Sequence, residues 1–199
     1  MQQRRRLIVM AGIALVGVVA LLFVVQQMRP PVFYGTAFEP GRVPPDVPME
    51  STRGAEMRLS DLRGKYVVLF FGYTHCPDVC PTTMLKLRNM MAQLSPEEAE
   101  QVQVVFVSVD PEHDTLDRLK NYVESYNPSF IGLRGTPDAL AQLATPLGIY
   151  YADQSQGETI LFDHTASVLL IDPDGNLKLL WAPTLTAEEM AADLKALLD

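Results

Sequence analysis

Residues 67–83 read V-V-L-F-F-G-Y-T-H-C-P-D-V-C-P-T-T, and the fold follows from how that stretch divides. Residues 67–71 form an unbroken apolar run, rich in β-branched and aromatic side chains and of the length of a buried strand. Gly72 ends the run, and a helical pattern begins just past Cys80. The two cysteines therefore stand where a strand hands over to a helix. A helix N-terminus presents unpaired N–H groups and the positive end of the helix dipole, which favour thiolate over thiol. With a spacing of four residues, a first helical turn containing both would bring the Cα atoms of Cys76 and Cys80 to about 6 Å. That separation suits a disulfide, and it also suits two sulfurs sharing one soft ion.

Downstream of this junction, strands and helices alternate. Residues 83–94 carry Met84, Leu87, Met91 and Leu94 at helical spacing, and 102–109 read as a second buried strand. Between them Ser95-Pro96-Glu97-Glu98 has the pattern of a capping box with proline at the first helical position. A second helix is expected over 116–126 and a short strand over 130–133. Thr136-Pro137 opens a third helix that Pro146 and Gly148 should end. Residues 165–171 and 177–181 read as an antiparallel hairpin turning through Asp172-Pro173-Asp174-Gly175-Asn176. Thr186-Ala187-Glu188-Glu189 then caps a closing amphipathic helix with Met190, Leu194, Leu197 and Leu198 on one side. A strand-helix-strand unit, a hairpin and a terminal helix, with cysteines at the first strand-to-helix junction, describe a thioredoxin-like α/β fold.

Upstream the composition changes. Residues 7–25 are 19 positions without a charge or a polar side chain, long enough as a helix to cross a hydrocarbon core of about 30 Å. Arg4, Arg5 and Arg6 precede them and only Arg29 follows closely, so the expected topology is a single transmembrane helix with the N-terminus in the cytoplasm. A cleaved secretory signal would need a shorter apolar core and a small-x-small cleavage site, and Val24-Val25-Gln26-Gln27 supplies neither. Residues 29–48 contain Pro30, Pro31, Pro40, Pro44, Pro45 and Pro48 and read as a semi-rigid spacer; around Arg53-Gly54, residues 49–59 suggest a short hairpin. The expected organisation is thus cytoplasmic tip and anchor over 1–28, linker over 29–48 and one thioredoxin-like domain over 49–199.

The formal charge of −8 includes the three arginines of the tip, leaving 13 basic residues against 24 acidic ones past Met28. So acidic an exported domain argues against nucleic acid and against anionic lipid surfaces as partners. Two cysteines in an exported protein commonly form a structural disulfide. A bridge across three intervening residues constrains little of the unfolded chain, however, which points to chemistry instead.

The third group of a site must come from the three histidines. His75 adjoins Cys76, and neighbours at a helix start point in different directions, so it reads as a non-ligand that tunes the thiolates. His113 sits in a polar loop after Asp110-Pro111-Glu112 and needs no role. His164 opens the strand of the C-terminal hairpin, which in thioredoxin-like folds lies beside the cysteine helix. Asp163 is a candidate partner for the imidazole, and Met84 and Met91 read as core.

Phe71-Gly72-Tyr73-Thr74-His75-Cys76-Pro77-Asp78-Val79-Cys80-Pro81 closely resembles the signature of the Sco (SenC-type) copper chaperones. The likeness continues through Val107-Ser108-Val109-Asp110-Pro111, Gly132-Leu133-Arg134-Gly135-Thr136-Pro137, Asp163-His164-Thr165 and Pro173-Asp174-Gly175. The family pattern has arginine in place of His113, a departure that touches no expected ligand.

The resemblance implies a thioredoxin-like, membrane-anchored metallochaperone that delivers copper to the dinuclear copper centre of cytochrome c oxidase during its assembly. It implies one copper ion per chain, Cu(I) or Cu(II), on Cys76, Cys80 and His164, a soft three-donor set. The implied partners are the copper-centre subunit of the oxidase and a thiol reductant or another copper carrier. The expected location is the bacterial inner membrane, with the C-terminal domain on the periplasmic or outer side. The alternative is a thiol-disulfide oxidoreductase that reduces the cysteines of that copper site, with Cys76 and Cys80 as its redox pair. The three-residue spacer and His164 weigh against that as the sole role. A peroxidase would need a peroxide pocket that no motif specifies.

Overall fold

The computed structural model describes residues 32–157 and 159–198, together with positions 2, 3, 10, 17 and 18. The chain divides into two units, Met1–Val32 and Phe33–Asp199. In the first, the span expected over 7–25 lies outside the described residues apart from Met10, Gly17 and Val18. Among the described residues, no helix is long and apolar enough to cross a membrane.

The second unit runs β1 (Thr36–Arg42), β2 (Met49–Ser51), β3 (Glu56–Met57), β4 (Tyr66–Gly72), α1 (Val79–Met91), α2 (Pro96–Glu100), β5 (Val102–Ser108), α3 (Leu116–Tyr126), β6 (Ile131–Arg134), α4 (Pro137–Ala144), β7 (Tyr151–Asp153), β8 (Phe162–His164), β9 (Val168–Ile171), β10 (Leu177–Trp181) and α5 (Ala187–Leu198). Eight of the strands form one sheet in the order β1-β10-β9-β4-β5-β6-β2-β3, and β7 and β8 pair separately. β4, β5 and β6 are parallel neighbours, with Phe70 opposite Phe106 and Phe71 opposite Val107. β9 and β10 add an antiparallel hairpin beside β4. This is the mixed sheet with flanking helices expected of the fold.

The apolar run of β4 is buried on both faces, with Val67 to Phe71 each at most 2% exposed. That is why it reads as continuous rather than alternating. On α1, Cys80, Met84, Leu87, Met90 and Met91 are buried, so the methionines pack the core. Three helices start on the caps that the sequence supplies. Ser95 accepts from the Glu98 N–H, Thr115 from Arg118 and Thr136 from Ala139, each satisfying an orphan donor of the first turn. The hairpin expected over 49–59 is present as β2 and β3.

The stretch 29–48 departs from its reading as a spacer. Within it β1 pairs antiparallel with β10, and the compact unit reaches back to Phe33. Asp193 of α5 supplies the anchor. Only 1% exposed, its carboxylate accepts the N–H groups of Tyr34 and Gly35 at 2.8 and 2.9 Å and the indole N–H of Trp181 at 2.8 Å. Gly35 permits this approach, since a Cβ there would meet the Trp181 ring at 2.7 Å. β1 itself is largely exposed, so backbone pairing and a buried carboxylate hold it, neither of which proline content reveals.

Candidate metal centre

Beyond Gly72 the chain makes a loop, and α1 starts only at Val79, with Asp78 as its N-cap residue. Cys80 therefore lies in the first helical turn and Cys76 ahead of it, not both within the turn. The residue before a proline is disfavoured in the helical region, and Pro77 keeps Cys76 in the loop. The two sulfurs still converge, because the Cys80 N–H donates to the Cys76 Sγ at 3.4 Å. Cys76 sulfur thus occupies the position of a helix-capping acceptor.

Gly72 makes room for the second sulfur. A Cβ on that residue would lie 2.7 Å from the Cys80 Sγ and 3.0 Å from the Phe106 ring. Gly72→Ala is expected to cost about 1–3 kcal/mol by overpacking, read as a lower urea midpoint. An unchanged midpoint would mean that the sulfur is not confined by the strand end.

His164 arrives from a different element than the sequence suggested. It ends β8, which pairs with β7 through His164 opposite Tyr151, while β9 of the hairpin begins only at Val168. Its Nε2 lies 3.3 Å from the Cys80 Sγ. On the other side of the ring Nδ1 lies 3.2 Å from the Thr165 carbonyl oxygen. A carbonyl only accepts, so Nδ1 carries a hydrogen and Nε2 is the ring nitrogen turned toward the sulfurs. Phe70 and Tyr73 flank the ring edge to face, with centroids 6.0 and 5.9 Å away. Asp163 is not the partner of the imidazole; its side of β8 is solvent-exposed, and the Thr165 carbonyl takes that place.

One donor atom each from Cys76, Cys80 and His164 lies within 4.8 Å of the others. A hollow of about 220 Å³ opens over them, lined by Tyr73, Pro77, Phe162 and Ala166 among others, so an exchanging ligand can reach the site from solvent.

The two thiols are electrostatically unequal. Side-chain hydrogen bonding with Cys80, then with His164, and the backbone N–H groups of Cys80 and Asp78 outweigh burial to hold Cys76 down to about 3. The same hydrogen bond and deep burial push Cys80 above the ordinary thiol range. The pair shares one proton at neutral pH: Cys76 is the thiolate and Cys80 the thiol. In the reduced protein, the rate of Cys76 alkylation by iodoacetamide should stay flat from about pH 9 to about pH 5 and fall only as the pH nears 3. A rate that climbs about tenfold per unit toward pH 8.5, as for a free thiol, would contradict this.

Behind the cysteine loop lies a polar network that sequence spacing did not reveal. Asp114, fully buried, accepts from the Thr74 N–H at 3.1 Å, from the Thr74 hydroxyl and from the Ser108 hydroxyl at 2.6 Å. Arg118 donates to Thr74 at 2.6 Å. Two residues before Cys76, Thr74 is thereby tied to β5 and α3. His75 and His113 belong to this side of the loop: His75 Nδ1 faces Asp114 at 3.9 Å, and His113 Nδ1 lies 2.8 Å from Asp110. Neither joins the three donors on the other side.

Residues 44–199 match the SCO1/SenC family. The chain belongs to the SCO1/SenC family. Its structure superposes on the solution structure of apo Sco1 from Thermus thermophilus with a TM-score of 0.75 at 42% identity, covering 83% of this chain and 97% of that one. ScoI of Bradyrhizobium japonicum, solved with copper bound, matches with a TM-score of 0.70 at 36% identity over 77% of this chain and 98% of that one. The bovine mitochondrial SCO2 homologue is 33% identical over 72% of this chain and 55% of its own length. The chain spans little more than half the length of the curated relatives it matches. The matched region takes in Cys76, Cys80 and His164.

Proposed function

We propose that this protein binds one copper ion through Cys76, Cys80 and His164 and hands it to the dinuclear copper centre of cytochrome c oxidase during assembly. The observation that carries the reading is the convergence of two sulfurs and an imidazole Nε2 beneath an open hollow. Two thiolates and one imidazole form a soft, low-coordinate set that suits Cu(I), with room for a weak further ligand on Cu(II). Structural zinc would call for a fourth protein ligand. Supporting the assignment, a relative 36% identical to this chain has been solved with copper bound.

Each donor has a defined task. Cys76, already a thiolate, receives the ion; Cys80 gives up the proton that the pair shares as its sulfur coordinates. His164 enters without rearrangement, because the Thr165 carbonyl holds Nδ1 and turns Nε2 toward the sulfurs. Transfer proceeds by exchange, the partner's ligands entering through the hollow and displacing these donors one at a time. The partner is the copper-centre subunit, and a thiol reductant or another copper carrier prepares the site. The apolar segment 7–25 tethers the protein to the bacterial inner membrane, with the N-terminus inside and the copper domain on the periplasmic or outer side.

The unequal thiols favour a second reading, a thiol-disulfide oxidoreductase acting on the cysteines of the same copper site. An accessible thiolate beside a buried thiol is the arrangement of an attacking and a resolving cysteine. Copper titration of the full chain separates the oxidised and reduced forms. Titrated with Cu(I), the reduced protein should take up one ion and the Cys76–Cys80 disulfide form none; equal Cu(I) uptake by both would overturn the proposed site.

A further inference from the structure

The side of the loop facing away from the sulfurs holds a second cluster of donors. His75, Asp110 and Asp114 each place one ligand atom within 4.8 Å of the other two. We propose that they form a second cation site, of nitrogen and oxygen donors, for a borderline divalent ion such as Zn(II) or Cu(II). The set is unlike the sulfur site in chemistry, and imidazole with carboxylates selects these ions over softer Cu(I).

Three observations carry the assignment. Asp110 and Asp114 are 1% and 0% exposed, and among the described residues neither is paired with a lysine or arginine; their ion-pair partners are the imidazoles of His113 and His75. Burying a carboxylate is costly unless hydrogen bonds, a paired side chain or a metal compensate it, and the donors that reach Asp114, from Thr74 and Ser108, are all neutral. Second, the His75 Nδ1 is buried and has no hydrogen-bond partner, although it faces the Asp114 Oδ1 at 3.9 Å. That gap is too long for a hydrogen bond. It fits two ligands of one ion, since bonds of about 2.1 Å hold ligand atoms between about 3.4 Å apart at a tetrahedral edge and about 4.2 Å at most. The cluster therefore closes on an ion by movements of less than about 1 Å. Third, one of the three ligands is reached from outside: a hollow of about 200 Å³ is lined by Asp110 together with Glu112, His113 and Asp153, carboxylates that attract cations.

His113 stands behind Asp110, its Nδ1 on both carboxylate oxygens at 2.8 and 3.0 Å, and orients that ligand rather than binding the ion itself. An ion here would join His75 to Asp114, the residue that already holds Thr74. The loop presenting Cys76 would then be fastened at two successive residues.

The test is a Zn(II) titration by calorimetry, with Cu(II) paramagnetic resonance beside it, on the full chain carrying Cys76→Ser, Cys80→Ser and His164→Ala. One ion per chain with nitrogen and oxygen ligands is expected. Adding His75→Ala, a change at a partly exposed residue, should abolish binding, and adding His113→Ala should weaken it roughly 10–100-fold. The same titration on the wild-type chain oxidised to the Cys76–Cys80 disulfide, with and without His75→Ala, covers a failure of the triple variant to fold. No binding in the oxidised chain, or binding that survives His75→Ala, would overturn the proposal.

Discussion

His164→Ala is expected to lose copper while keeping thiol chemistry. Nε2 is one of three donors, and loss of a mere supporting partner of a metal ligand already costs 10–100-fold in affinity. Removal of a direct ligand should therefore weaken copper retention by more than about 100-fold. The attacking and resolving sulfurs remain, and the hydrogen bond from Cys80 that chiefly holds Cys76 as a thiolate is untouched. Reduction of a model disulfide should survive. In cells lacking the wild-type protein, oxidase assembly should fail with His164→Ala, and equally with Cys76→Ser or Cys80→Ser. Normal assembly with His164→Ala, beside failure of both cysteine variants, would replace the copper reading with the reductase reading.

Asp193→Ala should be the most damaging change away from the site. It leaves the buried Trp181 indole N–H without an acceptor and frees the backbone at Tyr34 and Gly35. An unsatisfied buried donor costs about 1–3 kcal/mol, and hydrogen bonds to a charged acceptor are worth about 1.5–3 kcal/mol each. These terms are not additive, and a total near 3 kcal/mol follows, or roughly 6–12 °C in melting temperature for a domain of this size. Asp193→Asn keeps an acceptor and should lose less. A melting temperature unchanged by Asp193→Ala would mean that β1 adds nothing to the domain and that the folded unit begins near residue 49, as composition alone suggests.

How much of this could be read from sequence depends on whether the cause of each element is local. β4 was legible because full burial on both faces leaves an uninterrupted apolar run. Helix α3 was legible to the residue because Thr115 caps it and its buried Leu119 and Val123 recur at helical spacing. The same logic missed β1, whose side chains face solvent and whose partners in β10 lie more than a hundred residues away. The sequence pattern brings His164 beside the cysteines, where it lies, but not to the short strand β8 that carries it. Three-residue strands such as β7 and β8 have too few positions to show alternation, and their pairing with each other is tertiary. The proximity of the cysteines was legible, whereas their opposite proton affinities come from unequal burial and hydrogen bonding that no spacing shows. Asp114 gave no signal, since it reaches Thr74 across 40 residues.

The measurement closest to the central claim is copper K-edge X-ray absorption on the reduced, copper-loaded full chain, compared with its His164→Ala variant. The proposed site predicts a first shell of two sulfurs and one imidazole nitrogen, with the nitrogen lost on substitution. A shell without sulfur, or one that His164→Ala leaves unchanged, would contradict it.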